Sequence, residues 1–156
     1  LAKYHKITAG SISMMQQKIT DLCYQKVEEN IENSRKILTK LKSRNYRLGL
    51  VSNFHGNMPT VLHKFGLTQF FDVIVDSTLA GVSKPDPEIF RKALNEMDIK
   101  AEETAVVGDS YTRDIEASRK AGCKTIWLKG RSWKAWSGNE TADIITDDIT
   151  KLLNIL

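Results

Sequence analysis

Cysteine and proline are scarce in this chain, and long apolar runs are missing. Two cysteines in 156 residues, Cys23 and Cys123, make neither a disulfide framework nor a zinc site, which points to a reducing compartment. No stretch approaches the roughly 20 apolar residues that a membrane-spanning helix requires. No charged-then-apolar leader with a small-residue cleavage site is present. A cytoplasmic protein with no membrane partner is therefore expected. Nine glycines and three prolines exclude a collagen-like or low-complexity chain, and 41% hydrophobic residues suffice for a core. Of the three histidines, His5 and His63 have no second ligand at metal-binding spacing and read as surface residues. The first residue is Leu1 rather than Met, and the expectation is a piece of a longer protein.

The net charge of +4 is uneven. Residues 1–50 carry ten Lys/Arg against four Asp/Glu, and the remainder 13 against 15. The basic residues of 35–47 mostly fall between Ile37, Leu38 and Leu41, as on the solvated face of an amphipathic helix, so no nucleic-acid partner is expected. Trp127, Trp133 and Trp136 interleave with Lys129, Arg131 and Lys134 in a pattern that can stack single-stranded bases. A core Trp127 with two loop tryptophans is the preferred reading.

Spacing predicts one amphipathic helix over 12–29 and a second from Asn33 or Ser34 to Arg44. From there apolar runs alternate with helical patterns. Strands are predicted at 47–51, 71–75, 104–107, 125–128 and 143–145. Helices are predicted from Pro59 to Phe65, from Asp86-Pro87 through Met97, from Arg113 to Ala121, and at the C-terminus. Such alternation implies an α/β fold: a Rossmann-like parallel sheet with helices on both faces. Ligands of such sheets bind beyond the carboxyl ends of the strands.

Three groups of polar residues fall at those ends. Ser52-Asn53 follows the first strand and can donate hydrogen bonds to an oxyanion. Gly108-Asp109 follows the 104–107 strand, with Asp114 one helical turn on. Two such carboxylates suit Mg²⁺, although Asp114 alone equally suits a helix N-terminus. Lys84 sits in Gly81-Val-Ser-Lys-Pro-Asp-Pro87, on a segment stiffened by proline, where its ammonium can neutralise a phosphate or a carboxylate. His55 reads as a polar loop residue, and the two cysteines as small hydrophobes.

In this order, Leu-Val-Ser52-Asn53, then Gly-Val-Ser-Lys84-Pro-Asp-Pro-Glu-Ile-Phe, then Val-Val-Gly-Asp109-Ser with Asp114, resemble motifs II, III and IV of the haloacid dehalogenase-like (HAD) hydrolases. The resemblance covers roughly residues 33–153. It implies a HAD-like core over 31–156, preceded over 1–30 by the tail of a helical cap and its return helix. It further implies a Mg²⁺-dependent phosphatase of a small phosphorylated metabolite acting through an aspartyl-phosphate. Ser52 and Asn53 would hydrogen-bond the phosphoryl group, Lys84 would balance its charge, and Asp109 and Asp114 would hold Mg²⁺. A haloacid dehalogenase and a non-catalytic binding chain of the same fold are the alternatives.

One departure is large. The family's motif I, Asp-x-Asp on the first strand, supplies the nucleophile, and no Asp-x-Asp occurs in these 156 residues. The chain alone is therefore expected to be inactive. With the motif I strand missing from between them, the strands at 47–51 and 104–107 would leave backbone groups unpaired. Three closures are expected: direct pairing, a strand from a second copy, or an upstream fragment of the same protein, the last being preferred.

Overall fold

A computed structural model of the chain describes residues 9–130, 138–139 and 141–156. Trp133, Trp136 and His5 lie outside these residues. The chain divides into two compact units, residues 1–38 and 39–156.

The first unit is helical throughout its described part. Helix α1 runs without interruption from Ala9 to Ser43, where the sequence suggests two helices. The expected break fails because Ser34 does not cap. Its hydroxyl donates back to the Asn30 carbonyl at 2.8 Å, a partner that exists only inside a continuing helix. The predicted stripe of Ile12, Met15, Ile19 and Leu22 forms on one side of α1 and is exposed.

The second unit is built from five short parallel strands. These are β1 (Gly49–Ser52), β2 (Val73–Asp76), β3 (Ala105–Gly108), β4 (Lys124–Leu128) and β5 (Ile144–Thr146). They form two sheets. β1 pairs with β2 in register Gly49 to Val73, and β3, β4 and β5 pair in that order. Among the described residues β1 and β3 do not pair with each other, so direct pairing is not how the gap between them closes. Val107 of β3 is 36% exposed.

Helix α2 (Met58–Lys64) starts with Pro59 in its first turn, as predicted. Helix α4 (Glu88–Met97) follows a short α3 (Ser77–Ala80) that the sequence reading misses. Asp86 accepts from the Glu88 N–H at 2.9 Å, and the predicted stripe of Ile89, Phe90, Ala93, Leu94 and Met97 is buried. Burial of each large side chain contributes roughly 1.5–3 kcal/mol. Ile89, Phe90 and Ala93 join Val75 and Ala117 in one cluster, against which Val51 of β1 and Val106 of β3 also pack. The two sheets thus share a core although their strands do not bond. In β4, Thr125, Ile126 and Trp127 are all buried, so both faces of that strand are covered.

The helix predicted from Arg113 starts earlier and more widely. Residues Tyr111–Glu116 form a π-type turn that continues into α5 (Ala117–Lys120), where Gly122 ends it at φ +94°. The Ser110 carbonyl accepts from both Asp114 N (2.8 Å) and Ile115 N (3.4 Å), which widens the first turn. The C-terminal α6 spans Leu152–Ile155. Among the described residues no helix is long and apolar enough to cross a membrane.

Candidate active site

Ser52, Lys84, Asp109 and Asp114 lie on four segments that the fold brings to the carboxyl ends of β1 and β3. Lys84 bridges the end of β1 and Asp114. Its ammonium donates to the Val51 carbonyl at 3.1 Å, beside Ser52, and to Asp114 Oδ1 at 2.7 Å. Both side chains of that ion pair are largely buried, 14% and 9% exposed. The Lys84–Pro85 peptide bond is cis.

Asp114 is held on its other side as well, Oδ2 accepting from the Ser110 N–H at 2.9 Å. This bond and the wide turn above it bring the carboxylate back over the end of β3, where Gly108 leaves room for it. Asp109, the next residue, is exposed. Its backbone carbonyl accepts from the Trp127 indole N–H at 3.1 Å, which fixes the peptide while leaving the carboxylate outward. No group of three His, Cys, Asp or Glu at metal-binding distances occurs among the described residues.

Ser52 is half-buried at the last position of β1, opposite Asp76 of β2. The expectation for Asn53 is a hydrogen bond to the phosphoryl group through its backbone or its side chain, and in the structure the side chain bonds within the protein. Its carboxamide bonds the backbone of Lys84 twice, Oδ1 accepting from Lys84 N and Nδ2 donating to Lys84 O, each at 2.9 Å. His55 is exposed, its ring 5.6 Å from that of Phe54.

Asp76 is the residue that sequence reasoning misses. It is 2% exposed, and its carboxylate accepts from the N–H groups of Gly56 (3.1 and 3.0 Å), Met58 (3.3 Å) and Thr78 (3.0 Å). The Thr78 and Ser77 hydroxyls donate to the Phe54 carbonyl at 2.8 and 3.3 Å. The loop leaving Ser52 is thereby fastened to the end of β2. An Asp closing a strand before Ser-Thr is a helix-cap signal in the sequence, but its second role, across to Gly56, is tertiary.

The two cysteines are far apart in character. Cys23 is exposed, whereas Cys123 is buried and burial, with Glu102 nearby, pushes its thiol above the ordinary range. That is the behaviour of a small hydrophobe, as expected for Cys123.

The chain is an α/β protein with parallel strands, and these candidate residues lie at or near the carboxyl ends of those strands, where ligands of such folds bind. The chain belongs to the haloacid dehalogenase-like hydrolase family, whose model matches residues 3–128. It is 32% identical over 155 residues to the glyceraldehyde 3-phosphate phosphatase of Pyrococcus furiosus, covering 96% of this chain and 61% of that protein. It is 34% identical over 100 residues to haloacid dehalogenase-like hydrolase domain-containing protein 3 of Bos taurus, covering 64% of this chain and 40% of that one. The chain thus spans less than two thirds of either relative. Among solved structures, a HAD phosphatase from Thermococcus onnurineus shares the fold at a TM-score of 0.70 and 24% identity, over 77% of this chain and 54% of its own. The magnesium-bound YfnB of Bacillus subtilis superimposes at a TM-score of 0.71 with 26% identity, over 80% of this chain and 55% of its own.

Proposed function

We propose that this chain supplies the phosphate- and magnesium-binding part of a phosphatase acting on a small phosphorylated metabolite. One observation carries the reading: the Lys84 ammonium lies between the Val51 carbonyl, which precedes Ser52 in the chain, and the Asp114 carboxylate, which lies against Gly108 at the end of β3. Phosphoryl transfer needs positioning and charge neutralisation more than covalent chemistry from the protein, and these residues offer both. On this reading the Ser52 hydroxyl donates to a phosphoryl oxygen, with the backbone N–H of Asn53 beside it. Lys84 offsets the charge of phosphate and nucleophile. The Pyrococcus furiosus relative is a glyceraldehyde 3-phosphate phosphatase, which supports a phosphate ester as substrate.

The donor set fits Mg²⁺. This ion keeps several waters and takes one or two carboxylates together with substrate oxygens. Asp109 is the exposed carboxylate and would hold it. Asp114, both of whose oxygens are engaged by Lys84 and Ser110, would support it through water. When bound, the ion supplies positive charge next to the transferring oxygens. The attacking carboxylate comes from outside these 156 residues, which contain no Asp-x-Asp, and forms the aspartyl-phosphate.

The test compares the 156-residue chain with a version joined to, or mixed with, a segment carrying an Asp-x-Asp strand. With Mg²⁺ and an aryl phosphate, the chain alone should show no turnover. The complemented form should turn over and lose that activity on Lys84→Ala. Hydrolysis by the chain alone, abolished by Asp109→Ala, would overturn the reading. Activity on 2-haloacids and not on phosphate esters would replace it with dehalogenase chemistry.

A further inference from the structure

Lys84 touches the end of β1 at three points. Its ammonium reaches the Val51 carbonyl, and its own N–H and C=O both bond the Asn53 side chain. A carboxamide is the one neutral side-chain group that offers a donor and an acceptor side by side, so it can satisfy both polar groups of a single residue. Lys84 lies in an irregular segment between Gly81 and Pro87, where no strand among the described residues pairs with those groups. Asn53 fills that part, as a neighbouring strand would. A lysine stem has four rotatable bonds, and its ammonium reaches a fixed point only if the backbone beneath it is fixed.

From this juxtaposition we infer that Asn53 is a positioning residue for Lys84 rather than a substrate ligand through its side chain. It holds the base of the lysine while Val51 and Asp114 hold the tip. The consequence for catalysis rests on the reading of Lys84 as the charge that receives the phosphoryl group. The clamp itself is independent of that reading.

Two measurements on the 156-residue chain address the clamp without activity. The first is acetylation of Lys84 by an N-hydroxysuccinimide ester, mapped by mass spectrometry against exposed Lys26 and Lys120. Asn53→Ala should speed labelling of Lys84 roughly ten-fold, the size expected from losing two neutral hydrogen bonds. The reference lysines should be unchanged. Asn53→Asp, isosteric but with an oxygen facing the Lys84 carbonyl, should do the same and serves if the alanine variant does not fold. The second is amide hydrogen exchange of the wild-type chain, in which Lys84 N–H should be protected. Unchanged labelling in a folded variant, or a Lys84 amide exchanging as freely as in an unstructured peptide, would overturn the inference.

A third measurement links clamp to turnover in the complemented phosphatase. The losses from Asn53→Ala and Lys84→Ala should not add, because one acts through the other. Additive losses would place Asn53 on the substrate and overturn the positioning role. Absence of turnover in every form would count against the phosphatase reading, while the labelling result would still decide the clamp.

Discussion

The Asp114 carboxylate occupies the space that a side chain at Gly108 would need. A Cβ added at Gly108 would lie 2.2 Å from Asp114 Cβ and 2.7 Å from Asp114 Oδ2. The glycine is required here for room, so that a buried acid can lie against the end of β3 and meet Lys84. Gly108→Ala must therefore displace Asp114 or the strand. A loss of about 1–3 kcal/mol is expected, the usual scale for overpacking. Urea denaturation measures it, and a midpoint equal to wild type would contradict the close approach.

Removing the charge of Asp114 tests the other half of the same contact. In Asp114→Asn the Lys84 ammonium keeps the Val51 carbonyl but loses its only anionic partner among the described residues. Both side chains are largely buried, so a destabilisation of about 1–3 kcal/mol is expected. Restoration of the midpoint by adding Lys84→Met would show that the stranded ammonium, not lost packing, causes the loss.

Asp76 should matter as much although it bears no direct chemistry. Asp76→Ala strands the N–H groups of Gly56, Met58 and Thr78, for an expected loss of about 3 kcal/mol. Amide exchange at Gly56 and Thr78 should accelerate ahead of that in β4. Equal protection in mutant and wild type would remove the fastening role.

Two exposed carboxylates give the fold an acid-sensitive component. Asp143 accepts from the Thr125 hydroxyl and N–H, both at 2.7 Å, and these bonds hold it below the ordinary 3.8. Asp72 is lowered in the same direction by the Leu48 N–H and then by Lys42. A carboxyl depressed on folding stabilises the protein above its unfolded value. That contribution is lost as pH falls through 3.8 and on through the lower folded value. Melting temperature followed from neutral pH to about pH 3 should fall less steeply in Asp143→Asn than in wild type. Parallel curves would assign the acid sensitivity elsewhere.

The metal reading has its own check. Asp109→Asn keeps shape and removes charge, so the fold should persist while Mg²⁺ affinity falls, followed by calorimetric titration. Undiminished affinity would return Asp109 to a purely structural position.

The amphipathic stripe of α4, Pro59 at the start of α2, and all five strands to within a residue or two are legible in the sequence, because each is written in local periodicity and turn chemistry. The strand-end rule likewise points to Ser52, Asp109 and Asp114 as candidates and the proline-stiffened segment to Lys84, and the fold brings Lys84 to Val51 and Asp114. Besides α3 and Asp76, further features escape sequence reading for physical reasons. Ser34 and Asn33 have the chemistry of caps, but a serine hydroxyl is equally satisfied by the carbonyl one turn back, and only the surrounding chain decides. Asn53 and Ser52 look alike as polar loop residues until the fold places Lys84 within reach of one carboxamide. The wide turn at Tyr111 depends on the Ser110 carbonyl accepting two N–H groups, a backbone event with no compositional signature.

The bond from the Trp127 indole to the Asp109 carbonyl gives this chain an internal optical probe. Trp127 is 1% exposed, and its N–H ends on the very peptide that carries the outward carboxylate, with the Lys129 ammonium 5.0 Å from its ring. Indole emission responds to the field and hydrogen bonding at that nitrogen, so an ion arriving at Asp109 should register as a change in colour or intensity. With Trp133 and Trp136 replaced by phenylalanine, the emission would come from this one ring. Occupancy of the strand end could then be followed in real time, without a label and without turnover.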